Sequence, residues 1–260
     1  MKRIVILLAA ALIGGTLAVN GQTRKNPKKT AKSGSTAVTR KNVTPASDLP
    51  LFWLKGKVKK LVEKNYFWTI TEPVYDTDGM IDENASKHEF QLNNETVYFF
   101  TPDGFLSGYE KKDNEGTVLK RRLVTDAKGR LSKSYYDEYL EGEDFKAVMT
   151  LKRNAAGEII SYSIKDEADP NGYIEKSTYT LRPDGRISKS KDDGVYEATK
   201  STYTYDANGF LTKTVTTSPL SPEANVVTFS YEQPTDAAGN WLKGTDSIGQ
   251  LAVREIEYYE

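Results

Sequence analysis

Short stretches of alternating polar and apolar residues recur along most of this chain, and turns that contain glycine separate them. Before one such turn the run Ser201-Thr202-Tyr203-Thr204-Tyr205 alternates with a period of two, and after it Leu211-Thr212-Lys213-Thr214-Val215 does the same. Successive side chains of a β-strand point to opposite faces of its sheet, so this period predicts strands. Each glycine turn is therefore predicted to close a hairpin between two antiparallel strands.

The turn repeats seven times with a common pattern. A polar residue, most often Asp, stands three positions before a glycine, and an apolar residue stands two positions after it. Glycine adopts positive φ without a steric penalty, and an Asp or Asn side chain caps the backbone of a turn. The repeated glycines, which are separated by 25, 25, 28, 28, 24 and 30 residues, are Gly79, Gly104, Gly129, Gly157, Gly185, Gly209 and Gly239.

A second, less regular break lies between successive glycine turns, so each unit of about 26 residues holds two strands and two turns. The breaks fall at residues 114–116, 141–142, 171–172, 193–194 and 218–222. Seven units predict an all-β fold, an antiparallel meander of about fourteen strands built from repeated hairpins. An open twisted sheet of this size tends to curl, so we expect a curled sheet or barrel-like closure.

One unit carries a recognisable motif, Tyr205-Asp206-Ala207-Asn208-Gly209-Phe210-Leu211, and Asp236-Ala237-Ala238-Gly239-Asn240-Trp241 is a variant of it. The motif resembles the YD repeat of Rhs and teneurin-like proteins, and the variant resembles exported bacterial repeat proteins of unknown function. The resemblance extends loosely over residues 75–241. It implies a curved or spooled β-sheet, whereas in the Rhs family the repeats enclose a toxin. It implies no catalytic residues for this chain.

The beginning of the chain differs from the rest. Met1-Lys2-Arg3 and the apolar residues 4–19 predict a signal peptide at 1–21, cleaved after Gly21 in preference to Ala18. An uncleaved membrane anchor is the alternative. Residues 22–48 hold Lys, Arg, Ser, Thr, Asn and Pro without an aromatic residue, which predicts a disordered basic linker. The β-repeat domain then spans 49–260, and no integral span is expected after cleavage.

Charge separates the linker from the repeat domain. Nine of the 36 basic residues precede Asp48, whereas none of the 36 acidic residues does, so residues 48–260 carry a net charge of about −9. The linker is either a solvated tether or a contact for an anionic partner, through Arg24, Lys25, Lys28, Lys29 and Lys32. The acidic domain argues against nucleic acid as the partner. Cysteine is absent, which excludes disulfides and a lipid-modified cysteine, so the protein is not expected to be a lipoprotein.

Candidate chemistry is sparse. His88 is the only histidine and is expected to be a surface residue beside a strand. Two carboxylates brought together by the fold would suffice for a glycan-cleaving enzyme, which sequence alone does not exclude. An aromatic set is either core or a ladder that stacks on sugars, and we favour core; its members are Tyr162, Tyr179, Tyr203, Tyr205, Phe229, Tyr231 and Trp241.

These observations predict an exported, non-catalytic β-repeat protein that acts as a structural or interaction module of the bacterial cell envelope. The location is periplasmic, outer-membrane-associated or secreted. We predict no catalytic residue, metal site or cofactor, and the binding residues are left open. The expected partner is a protein or an envelope polysaccharide, and carbohydrate binding is the main alternative function.

Overall fold

A computed structural model describes residues 46–82, 85–114, 122–140, 143–169, 174–194 and 197–260. The predicted signal peptide and all but the last three residues of the predicted linker lie outside this part of the chain. Fourteen strands run in chain order: β1 Val58–Glu72, β2 Lys87–Phe100, β3 Leu106–Asp113, β4 Arg122–Thr125, β5 Leu131–Leu140, β6 Glu143–Arg153, β7 Ile159–Asp166, β8 Glu175–Leu181, β9 Ile187–Gly194, β10 Ala198–Tyr205, β11 Leu211–Ser218, β12 Ser221–Tyr231, β13 Lys243–Asp246 and β14 Gln250–Tyr258.

All fourteen strands form one antiparallel sheet that curls into a nearly closed barrel shape. The order is β3-β2-β1-β14, followed by β13 down to β4, so the meander is joined by pairing of the first strand with the last. The remaining opening lies between β3 and β4. Tyr109 on β3 and Ser134 on β5 bridge it with a hydroxyl hydrogen bond of 2.7 Å. The predicted all-β meander is confirmed, and the described residues contain no α-helix and no helix long and apolar enough to cross a membrane.

The seven predicted glycine turns all have positive φ, between +73° and +95°. Six of them lie at the same end of the sheet. Gly79 makes the same local turn between β1 and β2, which is the opposite end of the sheet. An eighth turn of this kind, Asp246 to Leu251 with Gly249 at φ +85°, joins β13 to β14 and was missed in the sequence.

The Asp and Tyr of the repeat have separate structural roles. The carboxylate of Asp206 accepts the backbone N–H of Phe210 at 2.8 Å, which ties its own turn. The hydroxyl of Tyr205 donates to the carbonyl of Ile187 at 2.8 Å, which ties the hairpin to the preceding one. Arg153 occupies the position equivalent to Tyr205 and donates to the equivalent carbonyl, that of Leu131, at 3.3 Å.

The N-terminal part of the domain enters the barrel at the end that holds six glycine turns. A single turn of 3-10 helix, Leu49–Phe52, is buried there, and Phe52 is only 1% exposed. Asp48, fully buried, binds Arg153 through both carboxylate oxygens at 2.8 and 2.9 Å. At the same end, Arg254 donates to the carbonyl of Phe52 at 2.9 Å. This segment therefore fills the core that the curled sheet encloses.

Side chains two positions after the glycines form the first interior layer against this segment; they are Leu106, Leu131, Ile159, Ile187, Leu211 and Trp241, all buried. Farther along the strands the interior becomes polar. Ser134, Ser177, Ser190, Ser201 and Thr214 face inward and are buried. The core is thus apolar beside the N-terminal segment, and farther along the strands it also contains hydroxyl groups among apolar side chains such as Ile164.

Candidate binding surface

The β1–β2 hairpin is longer than its neighbours. β1 has 15 residues and β2 has 14, whereas the other strands have between 4 and 11 residues. β1 pairs with β14 only as far as Phe67 opposite Gln250, and β2 pairs with β3 only from Asn94 onward. Among the described residues, the hairpin beyond these points pairs only with itself. We call residues 67–92 the projecting hairpin.

Exposed apolar side chains are concentrated on this hairpin. Of the eleven large hydrophobic residues that the described part of the chain exposes, eight lie on it or on the adjacent β13–β14 turn. They are Phe67, Trp68, Val74, Tyr75, Met80, Ile81, Phe90 and Ile248. Single exposed hydrophobic residues are ordinary in proteins, whereas a contiguous group marks an interaction site.

Cross-strand pairs build the outer face of the hairpin. Tyr66 is opposite Leu92, Trp68 is opposite Phe90, and Ile70 is opposite His88. The Trp68 ring stacks on His88 with 5.1 Å between centroids and lies 5.6 Å from Phe90. Trp68 remains 56% exposed. His88 thus lies within a strand and is half-buried, and it supports the exposed indole ring.

Acidic residues accompany the apolar side chains of the projecting hairpin. The projecting hairpin contains six acidic residues and one lysine, so its net charge is −5. The single lysine, Lys87, is already paired with Glu72 at 2.9 Å and with Glu89 at 3.3 Å. The projecting hairpin therefore combines exposed apolar side chains with a net negative charge.

The aromatic set predicted from the sequence lies elsewhere, inside the barrel. Tyr162, Tyr179, Tyr203 and Trp241 are 3 to 8% exposed. The other three members pack at the core: Tyr205 and Phe229 contact the main cluster, and the hydroxyl of Tyr231 donates to the carbonyl of Leu211 at 2.7 Å. They form core and not a stacking ladder. The basic side chains proposed for an anionic partner, Arg24 to Lys32, lie outside the described residues.

Two carboxylates meet in the part of the interior that contains hydroxyl groups. The hydroxyl of Tyr162 donates a hydrogen bond to the Glu175 carboxylate. The Asp192 carboxylate accepts from the hydroxyl of Ser177 and from that of Ser190, the Ser190 bond being 2.8 Å long. Burial raises the pKa of both carboxyl groups, and the charge of Asp192 raises the pKa of Glu175 further. Within the described residues neither forms an ion pair with a lysine or arginine. This pair is therefore held by hydroxyl groups inside the wall of β7, β8 and β9.

A shallow depression of about 700 Å³ lies over β6, β7 and β8. Its lining includes Thr150, Lys152, Ser161, Ser163, Lys176 and Thr178, and none of the described residues that line it carries a carboxylate. A glycosidase needs two carboxyl groups beside its substrate. The depression does not provide this arrangement.

Comparison with known proteins gives remote structural likenesses. No family model and no curated protein matches the chain. Similar solved structures include a porin-like protein from Bacteroides uniformis, at 13% identity and TM-score 0.37 over 78% of this chain and 99% of that one. A porin-like protein from Bacteroides vulgatus is 11% identical, with a TM-score of 0.38 over 78% of this chain and 98% of that one. A chain of the toxin complex TcdB2-TccC3-Cdc42 is 15% identical, with a TM-score of 0.29 over 63% of this chain. The present chain spans about a tenth of the length of that toxin chain.

The sequence reasoning missed the projecting hairpin, although a signal for it was present. The run Tyr66-Phe67-Trp68 is apolar at three consecutive positions, whereas a strand with one solvated face alternates. A strand that is apolar on both faces requires cover on both faces. In this structure Phe67 and Trp68, whose side chains lie on opposite faces of the strand, are both exposed.

Proposed function

We propose that this chain is an exported, non-catalytic β-repeat protein that acts as an interaction module of the bacterial cell envelope. Its binding element is the projecting hairpin, and its partner is a protein. The observation that carries the proposal is the concentration of exposed apolar side chains on one hairpin. An isolated two-stranded hairpin is only marginally stable in water, so a partner that covers this one also stabilises it.

We further infer that the repeats are of the YD type. In support, the Asp of the motif caps its own turn and the Tyr bonds to the preceding hairpin, as Asp206 and Tyr205 do. This gives both residues of the motif a physical reason to recur. The predicted signal peptide at 1–21 supports export to the periplasm, the outer membrane or the medium. A protein without cysteine has no site for lipid attachment at a cysteine.

Carbohydrate binding is the second candidate function. Its support is the pair of Trp68 and Phe90, two neighbouring aromatic rings that are 56% and 41% exposed on one face. Aromatic faces of this kind stack on the apolar faces of sugar rings. The acidic residues of the projecting hairpin provide acceptors for sugar hydroxyl groups.

The experiment is a retention assay with the chain from Gln22 onward. Purified protein is immobilised and exposed to solubilised envelope proteins and, separately, to envelope polysaccharide. We expect a defined protein to be retained and to be lost with Trp68→Ala combined with Phe90→Ala. The matched control is Leu220→Ala combined with Val226→Ala, which removes two exposed hydrophobic residues outside the projecting hairpin.

The outcomes separate the two candidate functions. Retention of protein that depends on Trp68 and Phe90 supports the interaction module. Retention of polysaccharide alone, with the same dependence, supports carbohydrate binding. Equal retention by the hairpin variant and the control variant contradicts both, because neither partner then uses this surface.

A further inference from the structure

The free edge of β1 on the projecting hairpin is the strongest unassigned feature of the molecule. We propose that residues Trp68–Glu72 bind an extended peptide segment of the partner by β-strand addition, and that this segment carries apolar and basic side chains. The proposal rests on the proposed function and adds the mode of binding and the chemistry of the partner.

The edge is open on the side that β14 occupies elsewhere. Pairing between β1 and β14 ends at Phe67 opposite Gln250, whereas β1 continues for five more residues. Outside its pairing with β2, no backbone hydrogen bond to residues 68–72 is formed within the described part of the chain. Alternate N–H and C=O groups of a strand point to each side, so this stretch presents a row of backbone groups to an incoming strand.

This edge has few of the features that normally protect a sheet edge. Its sequence, Trp68-Thr69-Ile70-Thr71-Glu72, is rich in residues that favour strands, contains no proline and carries a single charge, at its last residue. The two edges of the main sheet differ from it. β4 is only four residues long, and β3 carries Lys111 and Lys112. Native proteins seldom leave an unprotected edge of this composition without a partner strand.

The surroundings of the edge indicate the chemistry of the partner. An added strand would place alternate side chains on the outer face beside Trp68, which favours apolar residues at every second position. The net charge of −5 on the projecting hairpin favours lysine or arginine at other positions. A second copy of this chain would bring two such hairpins together, and repulsion between them disfavours a self-paired dimer.

The alternation of backbone groups gives a direct test. In an antiparallel ribbon the N–H groups of two consecutive residues point to opposite sides. Thr69 and Ile70 lie in a regular stretch, opposite Glu89 and His88. Of Thr69→Pro and Ile70→Pro, one therefore removes an N–H from the free edge and the other removes an N–H from the bond to β2.

The probe is a short synthetic peptide in which Val and Lys alternate, measured by calorimetry and by thermal unfolding of the chain from Gln22 onward. We expect one proline variant to keep its melting temperature and to bind the peptide about tenfold or more weakly. The other variant lowers the melting temperature. A peptide of the same sequence with N-methyl groups at alternate residues, and one in which Glu replaces Lys, are both expected to bind about tenfold or more weakly.

Three results would overturn the inference. The first is equal peptide affinity in both proline variants when both remain folded. The second is undiminished binding of the N-methylated peptide. The third is a concentration-dependent dimer in sedimentation that Ile70→Lys abolishes. If Trp68 and Phe90 are needed for retention of the envelope partner but any of these results is found, the interaction module stands and only strand addition fails.

Discussion

The buried pair of Asp48 and Arg153 gives the sharpest test of how the barrel is filled. Asp48 is fully buried, and the side chain of Arg153 is 11% exposed. The Asp48 carboxylate also accepts the backbone N–H of Leu106 at 2.8 Å. Burial raises the pKa of Asp48, although the Arg153 guanidinium acts in the opposite direction. The cost of desolvation therefore offsets much of the attraction between the two charges. The pair matters for stability chiefly because removal of either partner leaves a buried charge without a counter-charge.

We expect Asp48→Ala to lower the free energy of unfolding by about 3–5 kcal/mol, because it leaves a buried guanidinium without its counter-charge. At roughly 2–4 °C per kcal/mol for a domain of this size, the melting temperature falls by roughly 6–20 °C. The double variant Asp48→Ala, Arg153→Met should lose less stability than the two single variants added together, with a coupling energy of about 2 kcal/mol or more.

Urea unfolding followed by tryptophan fluorescence measures these free energies, since Trp53 directly follows the buried 3-10 turn. The control is Lys59→Ala, which breaks an ion pair with Glu257 in which both side chains are about half exposed. That change should cost less than about 1 kcal/mol. Additive losses in the double variant, or a loss for Asp48→Ala no larger than for the control, would show that the segment does not fill the barrel as described.

Two further predictions concern the turns and the interior acids. Asp206→Ala removes the acceptor of the Phe210 N–H and should cost about 1 kcal/mol in thermal unfolding; an unchanged melting temperature would contradict the capping role. Glu175 has a raised pKa, so the folded state holds its proton to higher pH than the unfolded state does, and stability falls as pH rises through that interval. Glu175→Gln should therefore raise the melting temperature at pH 7, with the gain vanishing below about pH 4. A gain that is independent of pH would contradict the burial of that charge.

Local signals in the sequence were sufficient for the turns and for the fold class. A glycine at positive φ, preceded by a side chain that caps the turn, is determined within a few residues, and so is a strand of period two. This is why Gly104, Gly129, Gly157, Gly185, Gly209 and Gly239 were placed correctly. The same reasoning applied to Asp246-Ser247-Ile248-Gly249-Gln250-Leu251 would have found the eighth turn.

Other features depend on contacts between residues distant in sequence. Pairing of β1 with β14 joins residues such as Glu63 and Arg254, and no local pattern indicates that pairing. The position of Asp48 inside the barrel, opposite Arg153, is of the same kind. Local composition had placed Asp48 at the end of a basic linker, yet it is fully buried.

What the sequence determined by itself is the set of strands and turns, because each depends on neighbouring residues. Only the tertiary structure decided which faces and edges of those strands are covered. Tyr162, Tyr179 and Tyr203 became core because the sheet curls around them. Trp68 and the edge beside it became surface because β14 begins only at Gln250, opposite Phe67, whereas β1 continues for five residues beyond Phe67. The candidate site is a consequence of unequal strand lengths, which no residue encodes alone.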